Sequence, residues 1–262
     1  MYSLKYCKPK TIFEAVSELK NSDDASLPAG GHTLIPTLKQ CLANPHLLID
    51  LAGCGLSSII KSAHAIEIGA MTCHADVAKN KDVAGANPGL SMLARGIGDR
   101  QVRNCGTIGG SLANNDPAAD YPSACLALNA TIHTNKRKIP ADKFFKGMFE
   151  TDLKKGELIE AIEFEVPEKS AYSKYPNPAS RYAVVGVYIA KLKKEVRVAV
   201  TGAGSSVFRS QELESALSNN FSPAVIDKIS IPSKNLNSDI HASAEYRAHL
   251  IKVMAKKSIG SC

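Results

Sequence analysis

Two short stretches hold the residues best suited to chemistry: Pro28-Ala29-Gly30-Gly31-His32-Thr33-Leu34-Ile35 and Thr107-Ile108-Gly109-Gly110-Ser111-Leu112-Ala113-Asn114. Each sets two adjacent glycines beside a hydroxyl residue. Main-chain N–H groups bind phosphate without a lysine when the chain curls so that several point at one spot. Glycine permits this because it has no side chain to block approach or forbid positive φ. A single Gly-Gly pair is more often an ordinary tight turn than a phosphate site. Two similar stretches converging on one diphosphate would hold its roughly two negative charges from both sides, with no flexible side chain to order.

Other chemistries lack their residues. There is no His-Glu-x-x-His, no Gly-x-Ser-x-Gly and no Cys-x-x-Cys, so neither a catalytic set nor a metal-ligand set is nominated. Gly202-Ala203-Gly204 lacks the third glycine of a dinucleotide fingerprint, Val207 standing there, and reads as a tight turn. His32, a lone loop histidine, is given no catalytic role.

The elements that must position the two stretches follow from periodicity. Thr11 and Glu14 form a capping box, and Ile12, Ala15, Val16 and Leu19 recur at helical spacing. Leu27 to Gly31 reads as a short extended piece, followed by a helix over Thr33 to Leu42. His46 to Leu51 and Ile66 to Met71 read as buried strands, with Thr72 capping the next helix. A helix is expected from Pro88 to Gly96, a loop from Cys105 to Asp120, and a helix from Pro122 to Leu128. Strands are expected over Thr131 to Thr134 and Leu158 to Val166. Pro167 to Ser180, with three prolines and several serines, reads as a linker. Beyond it, Tyr182 to Ala190 and Glu195 to Thr201 read as strands. Ser210 to Leu217, Pro223 to Ile229 and Ala242 to Lys257 read as helices, the last with Tyr246, Leu250, Val253 and Met254 on one face.

The chain has 262 residues, 44% hydrophobic and 22% charged, which fits a globular protein of two domains at about 100 to 200 residues each. No apolar run reaches the roughly 18 residues of a membrane span, and Met1 to Lys10 does not resemble a signal peptide, so a cytoplasmic address is expected. Seven scattered cysteines fit free thiols in a reducing compartment. Lys and Arg exceed Asp and Glu by 32 to 25, a net charge of +7. These residues are dispersed and form no basic block with interleaved aromatics, so solubility is favoured over nucleic-acid binding.

Ala29 to Pro36 and Thr107 to Asp120 resemble the paired FAD signatures of the molybdenum hydroxylase medium subunit, a family that includes carbon monoxide dehydrogenase and xanthine dehydrogenase. The likeness continues through Tyr172-Ser173-Lys174, Pro178 to Ala183 and Asp239 to Arg247. It implies an α+β fold: a PCMH-type FAD-binding domain over 1–170, with subdomains of about 1–55 and 56–170, then a C-terminal domain over 171–262 with an antiparallel sheet and helices. It further implies non-covalent FAD, with Pro28 to Ile35 and Thr107 to Ser111 at the phosphate-binding positions. Asp120 matches a carboxylate that accepts from FAD, or it caps the helix near Pro122. Asn114 and Asp116 either contact the cofactor or hold their own loop. Ile97 and Ile159 match apolar positions near the flavin, Lys174 a cofactor-contacting lysine and Tyr182 an aromatic beside the isoalloxazine.

The function implied is electron transfer. FAD accepts electrons singly or in pairs, which suits a junction between one-electron centres and a two-electron acceptor. The resemblance places molybdopterin on a large partner subunit and two [2Fe-2S] clusters on a small one, in a dimer of heterotrimers, with an external acceptor. The alternatives are a stand-alone FAD-dependent oxidase or dehydrogenase, a cofactor-free scaffold subunit, or a nucleic-acid binder.

Overall fold

The computed structural model describes residues 1–262. It opens with β1 (Lys5–Cys7), α1 (Ile12–Asn21), β2 (Ala25–Ser26), α2 (Leu34–Lys39) and β3 (Leu47–Ile49), whose strands form a parallel sheet in the order β1-β3-β2. Thr11 caps α1, its Oγ1 accepting from Glu14 N at 3.1 Å. Glu14 reaches back to Lys10 N at 2.8 Å, one residue beyond the Thr11 amide of the reciprocal pairing expected. The extended piece expected at Leu27 to Gly31 lies two residues earlier, and α2 is shorter than its pattern. Cys41, at φ +57°, ends it.

The middle of the chain contains β4 (Ile59–Lys61), β5 (Ala65–Gly69), α3 (His74–Lys79), α4 (Lys81–Ala86), α5 (Pro88–Arg95), α6 (Arg100–Cys105), α7 (Ile108–Asn114) and α8 (Tyr121–Ala127). After these come β6 (Thr131–Thr134), β7 (Lys138–Pro140), α9 (Ala141–Phe144), β8 (Phe145–Gly147), β9 (Glu150–Thr151) and β10 (Ile159–Glu165). An antiparallel sheet, β4-β5-β10-β6-β7, lays Ile66, Ile68, Ile132, Ile162 and Phe164 against Leu90, Leu93, Ile108 and Leu112 of the helices. Strand alternation puts those side chains on one face.

Two expectations fail here. The stretch from Cys105 to Asp120 is not all loop, because Ile108–Asn114 is helical. Thr107 caps it by accepting from Gly110 N at 3.1 Å, and Gly109, in its first turn, lets the helix lie against Ala70. Thr72 does not cap α3. Its hydroxyl donates to Ser58 O at 3.1 Å, and the capping position falls to Cys73.

The last part contains β11 (Lys169–Pro176), β12 (Ala183–Lys191), β13 (Val196–Thr201), β14 (Phe208–Arg209), α10 (Gln211–Asn219), α11 (Pro223–Ile226) and α12 (Ala244–Gly260). The four strands form an antiparallel sheet in chain order. The linker reading of Pro167 to Ser180 is overturned, since most of that segment is β11. Its prolines fall before the strand, at its last residue and after it, so the paired middle loses no donor, and β11 is an edge strand where proline is tolerated. The face of α12 also differs from expectation. Arg247, Leu250, Ile251, Met254, Ala255 and Ser258 are buried, whereas Tyr246 and Val253 are exposed. The sheet beneath covers the stripe that starts at Arg247. Gly202 takes φ +79°, as its expected turn requires.

The sheet is buried on both sides. Tyr188, Ala190 and Ala199 face the core of the middle segment, and Val185, Val187, Ile189, Val198 and Val200 face α12. The architecture is α+β, and no helix is long and apolar enough to cross a membrane.

Candidate FAD-binding cleft

The two glycine stretches meet. A Cβ placed on Gly30 would stand 2.3 Å from Cys105 O and 2.6 Å from Gly106 Cα, and one on Gly110 would stand 3.0 Å from the Ala29 methyl. Beside this contact opens a cleft of about 580 Å³. Its first wall is the turn into α2, where Ala29, Gly30, Gly31, His32, Thr33 and Leu34 line it and Gly31 takes φ +70°. Its second wall is the start of α7 with the turn before α8, where Thr107, Gly110, Ser111, Asn114, Asp116 and Asp120 line it. Ile97 and Tyr182 also line the cleft.

The amides of the two walls play different parts. Ala29 through Leu34 donate from the main chain to no protein acceptor, so the first stretch leaves a run of free N–H groups at the cleft. The second stretch spends its own: Ile108 N donates to Thr72 O at 3.1 Å, Gly109 N to Ala70 O at 2.8 Å and Ser111 N to Thr107 O at 3.0 Å. Gly110 N goes to the Thr107 cap. The expectation of two nests of N–H groups is therefore corrected. Helix formation consumes the second set, leaving Thr107 N and the Ser111 hydroxyl, neither of which has a protein partner.

Six expected residues stand back from the cleft wall. Pro28 and Ile35 flank the first turn. Ile108 and Gly109 are buried against the core, and Ile159 lies buried in β10. Lys174 reaches the site indirectly, its Nζ 3.0 Å from Asp120 Oδ2. Asp120 does not cap α8, as no amide of that helix binds its side chain. Its carboxylate instead accepts from Tyr172 Oη and Lys174 Nζ. Burial pushes its pKa up, and Lys174 and Tyr172 oppose the rise. Asp116 accepts from Ala118 N at 2.8 Å, holding its own turn while lining the cleft. Ile97 is set by Arg103, whose guanidinium donates to Ile97 O at 2.8 Å and Gly98 O at 3.0 Å.

Several cleft residues escaped the sequence reading. His74 lies at the floor, 5% exposed, with Nδ1 lacking any hydrogen-bond partner. Its ring is 5.3 Å from that of Tyr121, whose hydroxyl is equally unpartnered. Burial, then His32 and Arg103, lower the His74 pKa to about 4. Gly106 has no Cβ because His74 Nε2 would stand 2.6 Å from it. Gly106 directly precedes the second glycine stretch and could have been included with it. His74 sits in an apolar helix pattern and carries no such signal.

The donor set suits a dinucleotide. Free amides with the Thr33 and Ser111 hydroxyls match a diphosphate, Asp120 matches sugar hydroxyls, and Ile97 with Tyr182 matches a flat ring. The class of protein follows from residues 2–168, which match the family described as FAD binding domain in molybdopterin dehydrogenase. The glyceraldehyde dehydrogenase medium chain of Sulfolobus acidocaldarius is 35% identical over 97% of this chain and 96% of its own. Among solved structures, quinoline 2-oxidoreductase from Pseudomonas putida 86 superposes with a TM-score of 0.89 at 26% identity, over 99% of this chain and 96% of that one. Carbon monoxide dehydrogenase from Hydrogenophaga pseudoflava gives 0.86 at 31% identity, over 99% and 96%. The chain belongs to this family: it is an FAD-binding medium subunit of the molybdenum hydroxylase type, a subunit of an oxidoreductase.

Proposed function

We propose that this subunit relays electrons, taking them from [2Fe-2S] clusters on a small partner subunit and handing them to an external acceptor. Oxidation of the substrate takes place at molybdopterin on a large subunit. Bound FAD supplies the exchange between single electrons and pairs. The residues of this chain bind and orient it. The amides of Ala29 to Leu34 hold the diphosphate with Ser111 and Thr107, Asp120 accepts from a cofactor hydroxyl, and Ile97 and Tyr182 flank the ring. Residues 1–170 form the FAD-binding part, and 171–262 supply Lys174 from the C-terminal sheet and Tyr182 from the turn ahead of β12. The assembly is a dimer of heterotrimers in the cytoplasm.

The observation that carries this reading is the run of free amides in the first glycine turn, pressed against the second. Two of the titratable groups of the cleft are poorly suited to act as a substrate base. Asp120 is tied to Tyr172 and Lys174, and His74, its pKa lowered to about 4, holds a proton only weakly.

Purification with native partners tests the reading. Flavin, iron and molybdenum are expected together in the complex, and anaerobic substrate should bleach the flavin only when the small subunit is present. Bleaching by substrate in the isolated chain would favour a stand-alone dehydrogenase and sink the relay.

A further inference from the structure

Both oxygens of Asp120 are engaged by one strand. Tyr172 Oη donates to Oδ1, and Lys174 Nζ lies 3.0 Å from Oδ2. Residues two apart on a strand project to the same face, so β11 presents a hydroxyl and an ammonium side by side. The arrangement is buried: Asp120 and Tyr172 are each 6% exposed, and the Lys174 side chain 10%. Asp120 lines the cleft, and Tyr172 stands behind it.

The space for Tyr172 comes from a glycine in the middle of β12. Gly186 is paired with Lys174, and a Cβ there would stand 2.3 Å from Tyr172 Oη and 3.0 Å from its Cζ. Glycine within a strand gives up packing and backbone entropy, and commonly marks a close approach. Here the approaching group is the hydroxyl that holds Asp120.

We propose that Tyr172 is a positioning residue for FAD: its hydroxyl, seated in the notch left by Gly186, keeps the Asp120 carboxylate turned into the cleft as an acceptor for the cofactor. The inference rests on the reading of the cleft as the FAD site and deepens it by naming a residue behind the wall. Without the hydroxyl, Asp120 retains Lys174 alone. Burial then acts against a less stabilised charge, so the carboxyl takes up a proton at higher pH and becomes a poorer acceptor. The titratable groups facing Asp120 are Tyr172 and Lys174 from β11, Tyr182 ahead of β12 and Tyr121 on its own helix, with Arg181 lining the same cleft. Tyr121 and Tyr182 are also held above the usual phenol range, so neither changes charge across mildly acidic to mildly alkaline pH.

The test is fluorescence titration of FAD into the flavin-free full chain over that pH range, with thermal unfolding of the flavin-free protein alongside. Tyr172→Phe should bind FAD about tenfold more weakly at neutral pH, as expected for a lost hydrogen bond to a charged group. The deficit should widen as pH falls. Gly186→Ala, which displaces the hydroxyl without deleting it, should show the same widening. Tyr172→Phe binding with the affinity and pH profile of the unaltered chain would overturn the proposal. So would a deficit of equal size at every pH that tracks lost thermal stability, the mark of a structural role alone. If the unaltered chain binds no FAD, the reading of the cleft itself fails.

Discussion

Gly30 and Gly109 occupy similar Gly-Gly pairs but resist substitution for different reasons. A Cβ on Gly30 meets the main chain of Cys105 and Gly106, so Gly30→Ala must part the two walls of the cleft. Flavin retention through gel filtration should be lost, and normal retention would contradict the proposed diphosphate site. A Cβ on Gly109 meets Ala70, with its carbonyl oxygen 2.7 Å away, inside the core contact of α7. Gly109→Ala should therefore cost about 1 to 3 kcal/mol of stability, as overpacking does, readable by denaturant unfolding. His74 makes a pH prediction. Its pKa of about 4 in the folded chain lies below the ordinary value of 6.5. As pH falls from 6.5 towards 4, the unfolded chain takes up a proton that the folded chain refuses, so stability declines through that window and levels off below it. Replacing His74 with Gln should flatten this part of the stability profile of the flavin-free protein, and an unchanged slope would show that His74 is not its source.

At the level of elements, α7 and the β8–β9 hairpin act as one unit. α7 ends at Asn115, buried with φ +43°, whose Nδ2 donates to Gly147 O and Glu150 O, both at 2.8 Å. Phe149 N donates to Asn115 O at 3.1 Å, and Phe149 itself takes φ +56°. Three hydrogen bonds thus hold a bulky residue in a conformation it rarely adopts. Asn115→Ala removes two of them and adds left-handed strain, for an expected loss of about 2 to 4 kcal/mol. Denaturant unfolding checks this, and a loss below about 1 kcal/mol would mean that the hairpin holds itself.

At the scale of the whole molecule, the C-terminal sheet belongs to two cores at once. Tyr188 Oη donates to Asn87 Oδ1 at 2.7 Å, and Tyr172, Tyr188, Ala190 and Ala199 complete the interior around α5 and α8. A chain ending at residue 168 would expose that interior and lose the Tyr172 and Lys174 support of Asp120. It should unfold without a sharp transition and bind no FAD. A cooperative, flavin-binding fragment would show instead that residues 1–168 stand alone.

Local rules made much of this protein legible from its residues. Thr11 with Glu14, the strand Thr131–Thr134 and the helix beginning at Pro88 depend on neighbours within a few positions, and the two glycine stretches announced themselves by composition. The family, FAD and the α+β architecture were legible through motifs spread along the chain. Tertiary structure alone decided which glycine turn keeps its amides free, because that depends on whether Ala70 and Thr72, distant in sequence, take them. It also turned Asp120 from a possible cap into a partner of Tyr172 and Lys174, brought His74 to the floor, and made a proline-flanked stretch into an edge strand. Each of these outcomes depends on contacts between residues far apart in the chain, and such contacts leave no periodic mark in the sequence.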